Sequence, residues 1–279
     1  MKSFEGKVAA ITGAGSGIGR ALALELAAAG CHLAISDVNA NSLAETASLL
    51  TASGVKVTTA KLDVSDRKAF YAWAEKVAAE HGKVNLIFNN AGVAQAGTVE
   101  GSPIEDYEWI IGINLWGVIY GTKAFLPHLK ASGDGHVINI SSIFGLFAQP
   151  GQSAYNITKF GVRGFTESLR MELDIESSGV SATCVHPGGI KTNIAKAARF
   201  NASMDKLTGT TAAKSTAQFE KMFRTTAEEA AKIILKAVRK DARRVLIGAE
   251  AHAVDAMQRL MPTAYQPLVE RAMRKLKKN

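Results

Sequence analysis

Residues 12–30, "TGAGSGIGRALALELAAAG", follow the apolar, β-branched run "KVAAITG" at 7–13 and pass directly into an alanine- and leucine-rich helical pattern. Three glycines, Gly13, Gly17 and Gly19, occupy the turn and the opening of the helix, with Ser16 and Ile18 between them. Glycine here lets the backbone approach a pyrophosphate, and the helix N-terminus presents free N–H groups and a positive dipole to it. Three glycines alone make a common turn. Their strand–turn–helix setting near the N-terminus makes them a candidate dinucleotide cradle.

The same alternation continues along the chain. After "KVAAITG" come six more strand-like runs, "HLAISD", "KVTTAKLD", "VNLIFNN", "GHVINISS", "VSATCVHP" and "RRVLIG". Helical patterns near 18–29, 41–53, 66–81, 104–131, 153–177 and 227–239 separate them. Repeated βαβ units with right-handed crossovers predict a doubly wound, mostly parallel seven-stranded α/β sheet with helices on both faces, in three α/β/α layers. Ligands bind such sheets at the carboxyl ends of the strands. Gly54, Gly82 and Gly179 each end a helical pattern before a strand and are read as left-handed C-caps. One domain over 1–279 is expected. It would include a lid or substrate wall at 190–226, where no strand is expected before the segment's end, and a basic helical extension at 249–279.

The 279 residues, 47 % hydrophobic, suffice for one large α/β core. They hold no run of 18 apolar residues, and the start is too glycine-rich for a secretory signal, so a soluble, cytoplasmic protein is expected. Cys31 and Cys184 lie in apolar runs and read as buried thiols, with no disulfide framework or metal site implied. Residues 1–231 balance 21 Lys and Arg against 21 Asp and Glu, whereas 232–279 hold 12 against 4. The tail therefore carries the whole net charge of +8, and a balanced body argues against nucleic-acid binding. The end, "LVERAMRKLKKN", could approach an anionic membrane or an acidic partner; a solvated helix is the favoured reading.

The second strand ends at Asp37, 18 residues after Gly19, where a carboxylate can accept hydrogen bonds from the adenosine ribose and repel a 2′-phosphate. No Arg or Lys follows it closely, and only Arg20 could soften the preference, so NAD is favoured over NADP. Further along, "SAYNITKFGVRGF" at 153–165 places Tyr155 four residues before Lys159, one turn apart on one helix face. That spacing permits acid–base chemistry without proving it.

The Thr-Gly-x-x-x-Gly-x-Gly loop, "NNAG" at 89–92, Ser142, Tyr155 and Lys159 together resemble the short-chain dehydrogenase/reductase family, whose domain is a Rossmann fold. The resemblance spans roughly 5–190 and includes Asp63 in "LDV", Asn114 in "GINLWG" and "PGG" at 187–189. It implies that Tyr155 exchanges a proton with the substrate oxygen and that Ser142, rather than its neighbour Ser141, orients that oxygen. It further implies that Lys159 favours phenolate and binds the nicotinamide ribose, and that Asn114 holds a water linking the lysine to solvent. An ordinary phenol near pKa 10 is a poor base at neutral pH, which is why the lysine is needed. The resemblance places Asp63 and Val64 at the adenine, Asn90, Ala91 and Gly92 beside the adenosine, and Pro187, Gly188, Ile190 and Thr192 at the nicotinamide carboxamide and phosphates.

After Ser142 the chain reads "IFGLFAQPGQSAY", bringing Ile143, Phe144, Leu146 and Phe147 toward the pocket, with Gln149 and Gln152 as its amides and no arginine placed to clamp a carboxylate. A lipophilic secondary alcohol or ketone is the expected substrate. The alternatives are a 3-oxoacyl-carrier-protein reductase, which the chain beyond "RRVLIG" and Asp37 disfavour, and a non-catalytic nucleotide-binding protein, which intact Ser142, Tyr155 and Lys159 disfavour. Apolar excess on the helices at 104–131 and 153–177 predicts a homodimer or homotetramer.

Overall fold

The computed structural model describes residues 1–195, 197–209 and 223–276. Seven strands, β1 (Val8–Thr12), β2 (His32–Asp37), β3 (Val57–Lys61), β4 (Leu86–Asn89), β6 (Gly135–Ile140), β7 (Val180–Pro187) and β9 (Arg244–Ile247), form one all-parallel sheet ordered β3-β2-β1-β4-β6-β7-β9. All seven expected strands are present. The order reverses direction between β1 and β4, the crevice at which doubly wound sheets bind their ligands.

Period-two alternation sorts the strand side chains between two apolar layers. Ala9 and Ile11 of β1 face the layer formed with helix α1 (Gly17–Ala28) and helix α8 (Ala227–Arg239), through Leu22, Leu26, Ile234 and Val238. Leu43 of α2 (Ala40–Leu49) joins that layer. Ala10 faces the opposite layer, formed with α3 (Arg67–His81), α5 (Gly117–Ala131) and α6 (Ser153–Glu176) through Phe70, Trp73, Phe125, Leu129 and Leu169. Every residue of β1, β4 and β6 is buried because both faces are covered. Cys31 and Cys184 are fully buried, and burial pushes both thiols up to about 12, far from a reactive thiolate.

Three features depart from the sequence expectation. The run at 104–131 is not one regular helix: α4 (Ile104–Ile111) passes through a π-helical turn, Gly112–Trp116, into α5. α6 ends on Ser177 in the left-handed region (φ 51°), two residues before Gly179 (φ 70°), while Gly54 and Gly82 take their expected cap positions. The segment after β7 does contain a strand: β8 (Arg199–Phe200) pairs in parallel with β5 (Gln95–Ala96), then leads into α7 (Ser203–Thr208). Of the expected wall at 190–226, residues 196 and 210–222 lie outside the described residues. The C-terminal extension is two helices, α9 (Ala249–Leu260) and α10 (Tyr265–Leu276), with 277–279 outside the described residues.

The helical run 104–131 is apolar and long enough to cross a membrane, yet Phe125 and Leu129 sit in the layer against the sheet. Ile110, Val118 and Ala124 are buried as well, whereas Ile104 and Trp116 stand exposed, Trp116 at 48 %.

Candidate active site

The crevice between β1 and β4 is closed by backbone contacts that leave no room for side chains. Gly13 has φ 65°, and a Cβ there would lie 2.8 Å from Ala91 Cα, so the residue must be glycine on both conformational and steric grounds. Asn90 Nδ2 donates to the carbonyls of Thr12 and Gly13 at 2.9 and 3.2 Å, tying the end of β4 to the glycine loop. A Cβ on Gly19 would meet the Gly13 carbonyl and Asn90, and one on Gly17 would lie 3.1 Å from the Thr192 methyl. Ser16 stands at the N-cap of α1 without a side-chain cap bond, so with Ile18 and its neighbours the first turn keeps backbone N–H groups for a ligand.

Asp37 lies at the rim of this loop. Its Oδ2 accepts from Gly15 N–H at 2.8 Å and its Oδ1 from Asn39 N–H at 2.9 Å, leaving each oxygen with lone-pair capacity for a ribose hydroxyl. Arg20 does not oppose this carboxylate. Its guanidinium donates to Thr46 Oγ1, the carbonyls of Gly15 and Ser42, and Glu45, so it braces α2 against the loop. Beyond β3, Leu62 N–H donates to the Asp37 carbonyl at 3.0 Å, and Asp63 then closes a turn by accepting from Ser65 N–H and Oγ at 2.9 and 2.6 Å. Val64 is buried against Gly117. The free N–H groups, the glycine approach and the acceptor carboxylate fit a dinucleotide.

Ser142, Tyr155 and Lys159 are brought together at the ends of β6 and α6. Tyr155 is 9 % exposed, Ser142 8 % and Lys159 4 %. Lys159 Nζ sits 5.5 Å from the Tyr155 ring centroid and donates to the Ile140 carbonyl at 3.0 Å. Burial pushes the Tyr155 phenol up to about 12, against the pull of its hydrogen bond with the Ser142 hydroxyl. Burial likewise pulls the Lys159 ammonium down to about 8. The site thus holds a protonated phenol and a hydroxyl side by side, able to direct two hydrogen bonds at one oxygen atom.

The choice between the two adjacent serines is decided by strand alternation. Ser141 Oγ donates to the Lys159 carbonyl at 2.8 Å and is used up bracing α6. Ser142 faces Tyr155, accepts from Phe144 N–H at 3.2 Å, and starts the short 3-10 turn Ile143–Gly145. Sequence reading missed the residue behind it. His186, buried in β7, has its Nδ1 2.9 Å from the Ser142 carbonyl, which can only accept; Nδ1 therefore carries the proton, and Nε2 has no partner among the described residues. Burial lowers His186 to about 4, so it stays neutral.

Asn114 occupies the π-helical turn, which rotates its fully buried side chain toward β4. Its amide exchanges two bonds with the Val93 backbone, at 2.8 and 2.9 Å, instead of capping a helix. A Cβ on Gly92 would be 3.2 Å from Asn114 Oδ1 and 3.6 Å from Lys159 Nζ, so these two polar atoms converge on Gly92.

At the end of β7, Pro187 leads to Gly188, whose N–H donates to the Ile247 carbonyl at 2.8 Å. Gly189 N–H donates to Glu250 Oε1 at 2.8 Å, and Ile190 is buried. Phe144 meets Tyr155 edge-on at 6.0 Å and stacks on Phe147 at 5.4 Å. Leu146, 1 % exposed, turns inward instead. Gln149 is half-buried between exposed Ala148 and Pro150, while Gln152 heads α6 without a side-chain cap bond.

Residues 7–203 match the family model described as short chain dehydrogenase. This chain belongs to the short-chain dehydrogenase family. Its relatives in the family include SadH of Mycobacterium tuberculosis, named as an oxidoreductase, 51 % identical over 271 residues that cover 96 % of both chains. Human estradiol 17-beta-dehydrogenase 11 is 36 % identical over 196 residues, 70 % of this chain and 65 % of that one. A short-chain dehydrogenase/reductase from Burkholderia phymatum, solved in complex with NAD, superposes with a TM-score of 0.86 at 30 % identity, covering 93 % of this chain and 95 % of its own. This short-chain dehydrogenase is thus an oxidoreductase built on a Rossmann sheet, with a nicotinamide cofactor.

Proposed function

We propose that this enzyme interconverts a lipophilic secondary alcohol and its ketone, using NAD. The observation that carries the reading is the buried Tyr155 phenol brought together with the Ser142 hydroxyl, with Lys159 beside it and the Phe144 ring edge-on to it. The dinucleotide, when bound, supplies or accepts the hydride. In reduction, Tyr155 donates its proton to the carbonyl oxygen while Ser142 Oγ holds that oxygen; in oxidation, Tyr155 takes the hydroxyl proton. A phenol pushed to about 12 is well suited to hold a proton at neutral pH and poorly suited to accept one. Oxidation therefore depends on positive charge from Lys159 and from the oxidised nicotinamide ring to stabilise phenolate. Asn114 fixes the loop at Val93 beside the lysine and retains one Oδ1 lone pair for a water on the proton path.

NAD is favoured because the Asp37 carboxylate at the rim of the glycine loop would accept from a ribose and repel a 2′-phosphate, and Arg20 is engaged by Thr46 and Glu45. The estradiol named in the human relative is the kind of apolar substrate that Phe144 and Phe147 would suit. The enzyme works as a two-fold dimer through α5 and α6, with Trp116, the residue that leads into α5, and Ile157, Phe160 and Met171 of α6 exposed at 40 % or more.

The test is NADH formation across aliphatic, cyclic and steroidal alcohols. Tyr155→Phe should abolish turnover and leave cofactor affinity within about twofold, because it removes a proton donor and no cofactor contact of comparable weight. Turnover close to that of the parent protein would refute the assignment.

A further inference from the structure

α10 is a basic, largely exposed helix, and its first residue is the exception. Tyr265 is 5 % exposed although Ala264 and Gln266 on either side are open to solvent. Its ring meets Phe147 edge-on, with centroids 6.1 Å apart at 74°, and its hydroxyl accepts a hydrogen bond from Ala148 N–H at 3.1 Å. Phe147 stacks on Phe144 at 29°, and Phe144 stands at 79° to Tyr155. Four rings therefore run without a break from the C-terminal helix to the reacting phenol. Neither Tyr265 nor Phe147 belongs to the two apolar layers against the sheet, so this contact orders the turn and is not what holds the fold.

The turn that Tyr265 grips is the one Ser142 caps. Phe144 N–H donates to Ser142 Oγ, and Ala148, the next residue after Phe147, is fixed from outside. A shift of the turn would move the apolar wall and slacken the cap at Ser142 together. Val269 and Met273, one and two turns after Tyr265, are half-buried on the same face, and α10 rests against α7.

We propose that Tyr265 is a specificity-determining positioning residue: it pins the turn at 143–149 so that Phe144 forms the apolar wall opposite Tyr155. The proposal rests on the alcohol–ketone reading of this site. It gives the extension after β9 a task in substrate selection, separate from any role of its basic charge.

The experiment compares Tyr265→Ala and Tyr265→Phe in the full-length protein by three readouts: amide exchange over 143–149, NAD affinity, and kcat and KM with apolar ketones. With Tyr265→Ala, exchange at Ala148 and its neighbours should quicken at least about tenfold, since Ala148 is exposed and its N–H loses the hydroxyl that accepts from it. KM should rise about tenfold while kcat falls no more than about threefold, and NAD affinity should stay within about twofold. Tyr265→Phe keeps the ring and loses the acceptor, so KM should return to within about threefold of the parent value, with faster exchange at Ala148 alone. Unchanged exchange and KM in Tyr265→Ala would overturn the proposal. So would equal losses of KM and NAD affinity, or a Tyr265→Phe as impaired as Tyr265→Ala. Absence of turnover with every alcohol and ketone in the parent protein would refute the proposed reaction instead, and the exchange measurement would still decide whether Tyr265 pins the turn.

Discussion

Replacing Lys159 with methionine should make the cofactor-free protein more stable at neutral pH. The ammonium is 4 % exposed, and burial lowers its pKa from 10.5 to about 8. At about 1.4 kcal/mol per unit, keeping it charged costs the folded state ~3 kcal/mol at pH 7. Lys159→Met removes that cost, keeps an unbranched chain of similar length, and forfeits the charge-assisted bond to the Ile140 carbonyl, worth ~2 kcal/mol. A net gain of ~1 kcal/mol follows. The pH dependence separates this cause from better packing. Because the folded pKa is depressed, the unfolded chain binds more protons between about pH 8 and 10.5, so the parent protein gains stability as pH rises through that window. By pH 9.5 the cost has fallen to ~1 kcal/mol and the advantage of methionine should be gone, the parent protein then being the more stable. Above pH 10 the raised Tyr155 acts in the opposite sense: the folded phenol keeps a proton that the unfolded one releases, and stability falls toward pH 12. Urea unfolding of both proteins at pH 7 and pH 9.5, without cofactor, is the assay. A variant less stable than its parent at pH 7, or a gap of the same size at both pH values, would refute the argument.

Asp37→Ala should weaken NAD about tenfold and bring NADP to comparable efficiency, measured as kcat/KM with each cofactor; a parent enzyme already better with NADP would contradict it. Ser142→Ala should lower kcat about a hundredfold or more, whereas Ser141→Ala should keep most of its turnover, each losing ~1 kcal/mol of stability, one by uncapping Phe144 N–H and the other by freeing the Lys159 carbonyl. Initial rates separate the two variants, and thermal melts should show the same loss in both. Phe160→Glu, on an exposed apolar face of α6, should yield a smaller species by light scattering at micromolar concentration, and an unchanged mass would remove α6 from the interface.

Strands and helices were legible where a pattern repeats over several residues. The glycine loop and the Tyr155–Lys159 spacing were legible because both are local. The π-helical turn at 112–116 was not, since one extra residue scarcely disturbs a 3.6-residue pattern and its cause is Asn114 reaching Val93, 21 positions away. The β5–β8 pair is two residues long on each side, too short for any alternation to show. Both Ser141 and Ser142 looked available, and only the side of the strand each faces tells them apart. Tyr265 stood as one aromatic residue in a basic, solvated stretch; its packing on Phe147, 118 positions earlier, is a tertiary fact with no local trace.

The reversal of strand order at β1 has a consequence for how the chain assembles. As synthesis proceeds from the N-terminus, β1, β2 and β3 can pair with one another as soon as they emerge, because each neighbours the next in sequence. The other side of β1 must wait for β4, whose approach is recorded in bonds such as Asn85 Oδ1 to Val8 N–H across 77 residues and Asn90 N–H to Thr12 Oγ1 across 78. That late seam is the slow, entropically costly step of a parallel sheet. It is also the floor of the nucleotide crevice. A dinucleotide can therefore bind only after the two halves have met, and once bound it acts as a latch across the joint most exposed to reopening.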